Sequence, residues 1–181
     1  MITTKKISLS SILLILFIGV GSLSFGQNDY EETMDWIKGK MENFKLRDRS
    51  SLGVSNRWNY TDTYTYKVIS WSDCEVTIEE TDNYVTDQNT SRNDRVIKKI
   101  IKFNVGDLKS ITYSTEGNGG FTIKTYNDAK KIQINPNGNT TVVNTFTFRA
   151  DELGELDGQP ERFIKAWKHA MSLCGAKEEK F

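Results

Sequence analysis

The chain is short of the residues on which most enzyme sites are built. Its 181 residues include one histidine, two cysteines and two prolines. A single imidazole excludes histidine-rich zinc and copper centres. It also leaves only one imidazole for a nucleophile to pair with. Charge of one sign is missing too: 24 basic residues face 24 acidic ones. That balance argues against a nucleic-acid partner, which calls for a basic surplus. Beyond the first 26 residues there is no apolar run long enough to cross a bilayer, so the mature chain carries no transmembrane span.

The first 26 residues read as an export signal. Lys5 and Lys6 precede the apolar run Ile7 to Val20, and Ser24-Phe25-Gly26 offers small residues for cleavage before Gln27. Removing this segment takes away two lysines and no acid, so the mature chain is acidic by two. The expected location is periplasmic or extracellular. Two cysteines in an exported chain suggest one disulfide, Cys74 to Cys174, which would close a long loop; two buried free thiols are the alternative.

The pattern of the remainder predicts helix, sheet, helix. From Asp29 to Phe44 apolar residues recur at Ile37, Met41 and Phe44, and Asp29 with Glu32 has capping-box spacing. Leu46 to Ser55 is polar and reads as a connector, which gives residues 27–55 as helix plus connector. The period then changes to two. Trp58, Tyr60, Tyr64, Tyr66 and Val68 share one parity and predict a half-buried strand. Ser72-Asp73 is expected as a turn, with Cys74, Val76 and Ile78 facing inward on the next strand. Further strands are expected at Val96 to Val105, Leu108 to Ser114, Phe121 to Tyr126, Lys130 to Ile134 and Thr141 to Phe148. The turns between them are short, with Gly117 to Gly120 and Asn135 to Gly138 as hairpin signals. Short turns imply antiparallel neighbours, hence a meander of about seven strands. Pro160 opens a last helix and Gly175 stops it, so residues 56–175 form the sheet with its C-terminal helix and 176–181 a tail.

At 100° per residue, Phe163, Trp167, Ala170 and Cys174 fall within an arc of about 60° on that last helix. His169 falls on the other side with Arg162, Lys165 and Ser172. A Cys–His pair needs the ring within hydrogen-bond reach of the sulfur. A regular helix denies that to His169 and Cys174, so neither is expected to be catalytic.

Other groupings carry candidate binding roles. Lys98, Lys102 and Lys124, with Lys99 and Lys109 beside them, form a candidate patch for an anionic headgroup or acidic polymer. Glu75, Glu79 and Glu80, and separately Asp151, Glu152, Glu155, Asp157 and Glu161, are carboxylate groups that read as solvated faces and a helix start. Asp82, Asp87, Asn89, Asn93 and Asp94 supply oxygen atoms but match no calcium-loop spacing. No catalytic set, metal site or cofactor site is expected.

Seven antiparallel strands followed by an amphipathic helix that carries Trp167 resemble the pleckstrin-homology-like fold, in which two sheets form a half-open barrel and the last helix plugs one end. The basic pair that binds phosphoinositide in some members has no counterpart here, so the resemblance implies a fold and no binding residues. The ending Leu173-Cys174-Gly175 with terminal Phe181 also resembles small exported bacterial proteins of unknown function. A lipocalin-like barrel is the alternative α+β architecture. The function expected is a non-enzymatic binding or interaction module of the envelope or exterior, its partner an unknown protein or envelope component. The alternative is a carrier holding a lipid or other apolar ligand inside the barrel.

Overall fold

The structure, a computed structural model, describes residues 29–51, 59–86, 94–116, 119–150 and 160–176. The expected signal segment, residues 52–58, the stretch 87–93, Gly117 and Asn118, the acidic group at 151–157 and the residues 177–181 lie outside these.

The architecture is α+β, with a helix at each end of nine antiparallel strands among the described residues. Helix α1 covers residues 29–41 and buries Tyr30, Met34, Ile37 and Met41 at helical spacing, with Phe44 just beyond its end. Strands β1 (Lys45–Ser51), β2 (Asn59–Ser72), β3 (Glu75–Thr86) and β4 (Arg95–Asn104) follow in order. A 3-10 turn, Val105–Asp107, leads into β5 (Leu108–Ser114) and β6 (Gly120–Thr125). Then come β7 (Ile132–Pro136), β8 (Thr141–Val143), β9 (Thr145–Phe148) and helix α2 (Pro160–Leu173).

The strands form two open sheets, ordered β1-β2-β3-β4-β7-β8 and β5-β6-β9. No closed barrel forms, so the lipocalin-like alternative is not what the chain adopts. A plain meander is not formed either. The chain leaves the first sheet after β4, makes the β5–β6 hairpin of the second, and returns as β7 to pair again with β4.

Three sequence expectations change. The connector at 46–55 contains most of β1, whose Lys45 to Ser51 pair with Thr65 to Asn59. Its charged residues hide the period-two pattern that an edge strand does not need. The expected strand Thr141 to Phe148 is two strands, broken at Asn144, with β8 on β7 and β9 on β6. The corner is held by the Asn144 carbonyl, which accepts from the Thr125 amide at 3.0 Å. Third, the β2–β3 turn is Asp73-Cys74 rather than Ser72-Asp73, and both residues have positive φ, 49° and 64°. A two-residue hairpin turn with both centres left-handed matches the strand twist, which is why L-residues are forced there.

Helix α2 ends as the sequence suggests. Gly175 (φ 72°) is left-handed, its amide bonds to the Ser172 carbonyl, and the Ala176 amide bonds to that of Met171 at 2.9 Å. This is a Schellman cap with Cys174 as the last half-helical residue. Cys74 and Cys174 are joined in a disulfide, with Cα atoms 5.7 Å apart. The bridge therefore ties the cap of α2 to the β2–β3 turn.

The core lies where both helices meet the sheets. Phe44, Phe121 and Phe163 form a mutual cluster with centroids 4.6 to 5.3 Å apart. Trp167 packs on Phe163 and Phe103, and Tyr66 meets Phe148 edge-on. All of these rings are buried.

Candidate functional site

The inner face of the six-stranded sheet changes character along its length. Cross-strand neighbours share a face. Val68 pairs with Ile78, and Ile78 with Ile101, at the end packed into the core. Farther along the same face Tyr66 pairs with Glu80 and Glu80 with Lys99, Tyr64 with Asp82, and Asp62 with Tyr84. Arg95 is the next residue of that row, opposite Tyr84. The apolar core thus passes into a polar cluster without leaving the sheet.

Most of this cluster is well partnered. Lys99 donates to Glu80 Oε1 at 2.6 Å, and the Glu80 side chain is only 4% exposed. Tyr66 receives a hydrogen bond from the Arg149 amide at 2.6 Å. Burial, with the Glu80 charge beside it, pushes the Tyr66 phenol well above its usual range. Arg149 stands over the Tyr64 ring at 4.7 Å and Arg95 over the Tyr84 ring at 5.0 Å. Burial lifts the Tyr64 phenol to about 12.

Two carboxyls are the exception. Asp82 is 6% exposed, and its Oδ1 is buried without a hydrogen-bond partner. Asp62 Oδ1 is in the same condition, while its Oδ2 accepts from the Tyr64 hydroxyl at 3.1 Å. Asp62 is pushed up to about 6, first by burial and then by its hydrogen bond with Asp82 and the charge there; Tyr64 and Arg95 pull the other way. A hydrogen bond between two carboxyls requires that one of them carry a proton. The arrangement can therefore hold and release a proton close to neutral pH.

The basic patch is taken apart by the fold. Lys98 and Lys102 share the outer face of β4, where Lys98 meets Glu79 at 3.0 Å and Lys102 meets Glu75 at 2.7 Å. Lys124 lies on β6 in the other sheet and pairs with Asp128 at 2.9 Å, which holds the Asp128 carboxyl below its usual range. Lys99 points to the opposite face from Lys98. Glu75 and Glu79 face outward as the alternation implies, whereas Glu80 faces inward.

His169 and Cys174 are separated as the helical wheel requires. His169 Nε2 lies 3.1 Å from Asp29 Oδ2 of α1, in an exposed pair. Both cysteines are spent in the disulfide, so neither offers a thiolate. Of the oxygen-rich set, Asp82 is in the inner cluster and Asp94 is exposed just before β4; Asp87, Asn89 and Asn93 lie outside the described residues. Among the described residues no group of three acidic, histidine or cysteine side chains converges as a metal site.

The Asp62–Asp82 pair was open to sequence reasoning. Asp62 has the inward parity of Tyr60, Tyr64 and Tyr66, and Glu80 and Asp82 have that of Val76 and Ile78. Acidic residues at inward positions of adjacent strands were the signal. What the sequence could not provide was the β2–β3 register that brings them together. In comparisons with protein-family models, curated proteins and solved structures, nothing matches this chain.

Proposed function

We propose that this chain is an exported interaction module of the cell envelope or exterior that performs no chemistry of its own. The observation that carries this reading is the filled interior. Phe44, Phe103, Phe121, Phe163 and Trp167 pack on one another between the sheets and are buried, which favours a module over a carrier of apolar cargo. Export is supported by the Lys5-Lys6 start with its apolar run, and by the disulfide, a bond that persists in oxidising compartments. The contact surface is the outer face of the first sheet. It presents Thr63, Thr65 and Lys67 of β2, Thr81 and Asn83 of β3, and Val96 and Lys98 of β4, the last two well exposed. Such a face is polar and spans three strands, which suits a protein or envelope polymer better than a small molecule.

The pleckstrin-homology-like grouping belongs to the same proposal. Two antiparallel sheets followed by a helix with a buried Trp167 support it, and the return of β7 to the first sheet is the departure from its plain plan.

The test places a photo-crosslinking amino acid at Asn83 and, as a control, at Glu116 in the β5–β6 hairpin. The module reading expects a discrete adduct from Asn83 alone. Native mass spectrometry of the exported protein is the second arm. A stoichiometric lipid in that spectrum would replace the module by the carrier.

A further inference from the structure

We propose that Asp62 and Asp82 hold a single proton between them and act as a pH-sensitive clasp joining β2 to β3 at the polar end of the six-stranded sheet. The geometry comes first. Tyr64 pairs with Asp82 and Asp62 with Tyr84, so the two aspartates are diagonal neighbours on one face of adjacent strands. Each has an Oδ1 atom closed to solvent and without a donor. Two interacting carboxyls, each with one oxygen that neither water nor a protein donor reaches, repel each other at a cost when both are ionised. One proton turns that repulsion into a charge-assisted hydrogen bond.

The groups that face the pair come from four elements and the segment after β9. On β2, the Tyr64 hydroxyl donates to the other oxygen of Asp62. On β3, Glu80 is engaged by Lys99 of β4. Arg95 of β4 acts on Asp62 through its charge, and its guanidinium sits over the Tyr84 ring. Arg149, after β9, sits over the Tyr64 ring. On β1, the register sets Asp48 opposite Asp62. No cation among these describes a bond to either Oδ1, and two enclosed carboxyls are too few for a divalent ion that takes six or more oxygen ligands.

The direction of the effect follows from proton linkage. Asp62 is pushed up to about 6 by burial and by Asp82, above its ordinary value. Between the two values the folded state holds more protons than the unfolded one. The pair's contribution to stability is therefore greatest in acid, falls as pH rises through that window, and levels off above it. The loosened end of the sheet is the one bordered by Arg149, so the clasp governs how firmly β2 and β3 stay against the segment that follows β9.

The experiment is a carboxyl-carbon NMR titration of the full chain from about pH 3 to about pH 9, with thermal midpoints in the same buffers. The pair is expected to lose its last proton near pH 6, and the midpoint to fall over the same range. Asp82→Asn removes the second carboxyl and leaves the burial of Asp62, so it is expected to lower the titration and shrink the fall in midpoint, its fold being checked by circular dichroism. If that variant does not fold, the wild-type titration stands alone as the test. Two carboxyls ionised below about pH 5 would overturn the proposal. So would millimolar calcium raising the wild-type midpoint at neutral pH but not that of Asp82→Asn, since a cation would then be the occupant.

Discussion

Replacing both cysteines by alanine removes the tie between the β2–β3 turn and the cap of α2, and the cost can be worked out. The bridged residues are 100 positions apart. Chain-entropy reasoning gives a loop of that length about 4.7 kcal/mol at 25 °C. Against this stands the backbone at Cys74, held at φ 64°. An L-residue there costs about 1 kcal/mol, and alanine keeps that cost while glycine removes it. The Cys74→Ala/Cys174→Ala protein should therefore lose the full loop contribution of about 4.7 kcal/mol, or roughly 10–15 °C in melting temperature for a chain of this size. Cys74→Gly/Cys174→Ala should lose about 1 kcal/mol less, partly offset by the freedom of glycine in the unfolded chain. The assay is thermal unfolding followed by circular dichroism, with and without reductant. Reductant should bring the wild type down to the double-alanine value and leave the variants unchanged. A loss under about 1 kcal/mol would show that the loop is already constrained in the unfolded ensemble, and the reasoning would fail.

Other substitutions test other parts of the fold. A Cβ at Gly106 would lie 2.6 Å from the Cys174 carbonyl oxygen, so Gly106→Ala should cost about 1–3 kcal/mol in denaturant titration and slow formation of the disulfide. Glu80→Gln leaves Lys99 without its carboxylate in a half-buried position; urea unfolding at pH 7 should show a loss of about 2 kcal/mol. His169→Gln breaks only an exposed contact with Asp29 and should move the midpoint by less than about 1 kcal/mol.

The periodic elements were legible because burial imposes a period. The stripe of Phe163, Trp167 and Ala170 on α2 and the alternation of Tyr64, Tyr66 and Val68 on β2 are buried as their spacing implies. Gly175 marks the helix end because a left-handed cap favours glycine. What failed to show was whatever depends on register or on long-range choice. Lys45 to Ser51 pair at an edge, where no side of the strand demands an apolar pattern. The break at Asn144 sends two consecutive strands to different sheets, and the local pattern marks it only by the paired Val142-Val143 and Asn144-Thr145. Trp71 packs against the core despite its outward parity because a bulge re-phases β2 between Val68 and Ser70. The Asp62–Asp82 pair needed both the parity and the register, and the sequence offers only the parity.

The disulfide also fixes how the molecule responds to being cut. Joining Cys74 to Cys174 makes a covalent ring of everything from β3 to the cap of α2, while α1, β1 and β2, packed into the same core, form a covalent arm outside it. A single protease cut anywhere inside the ring adds one water and frees no fragment. A cut in the arm divides the molecule, leaving the parts to noncovalent contacts such as the β2–β3 pairing. On a denaturing gel without reductant, ring-nicked protein therefore runs as one chain and arm-nicked protein as two, so endurance against proteolysis is set by the arm.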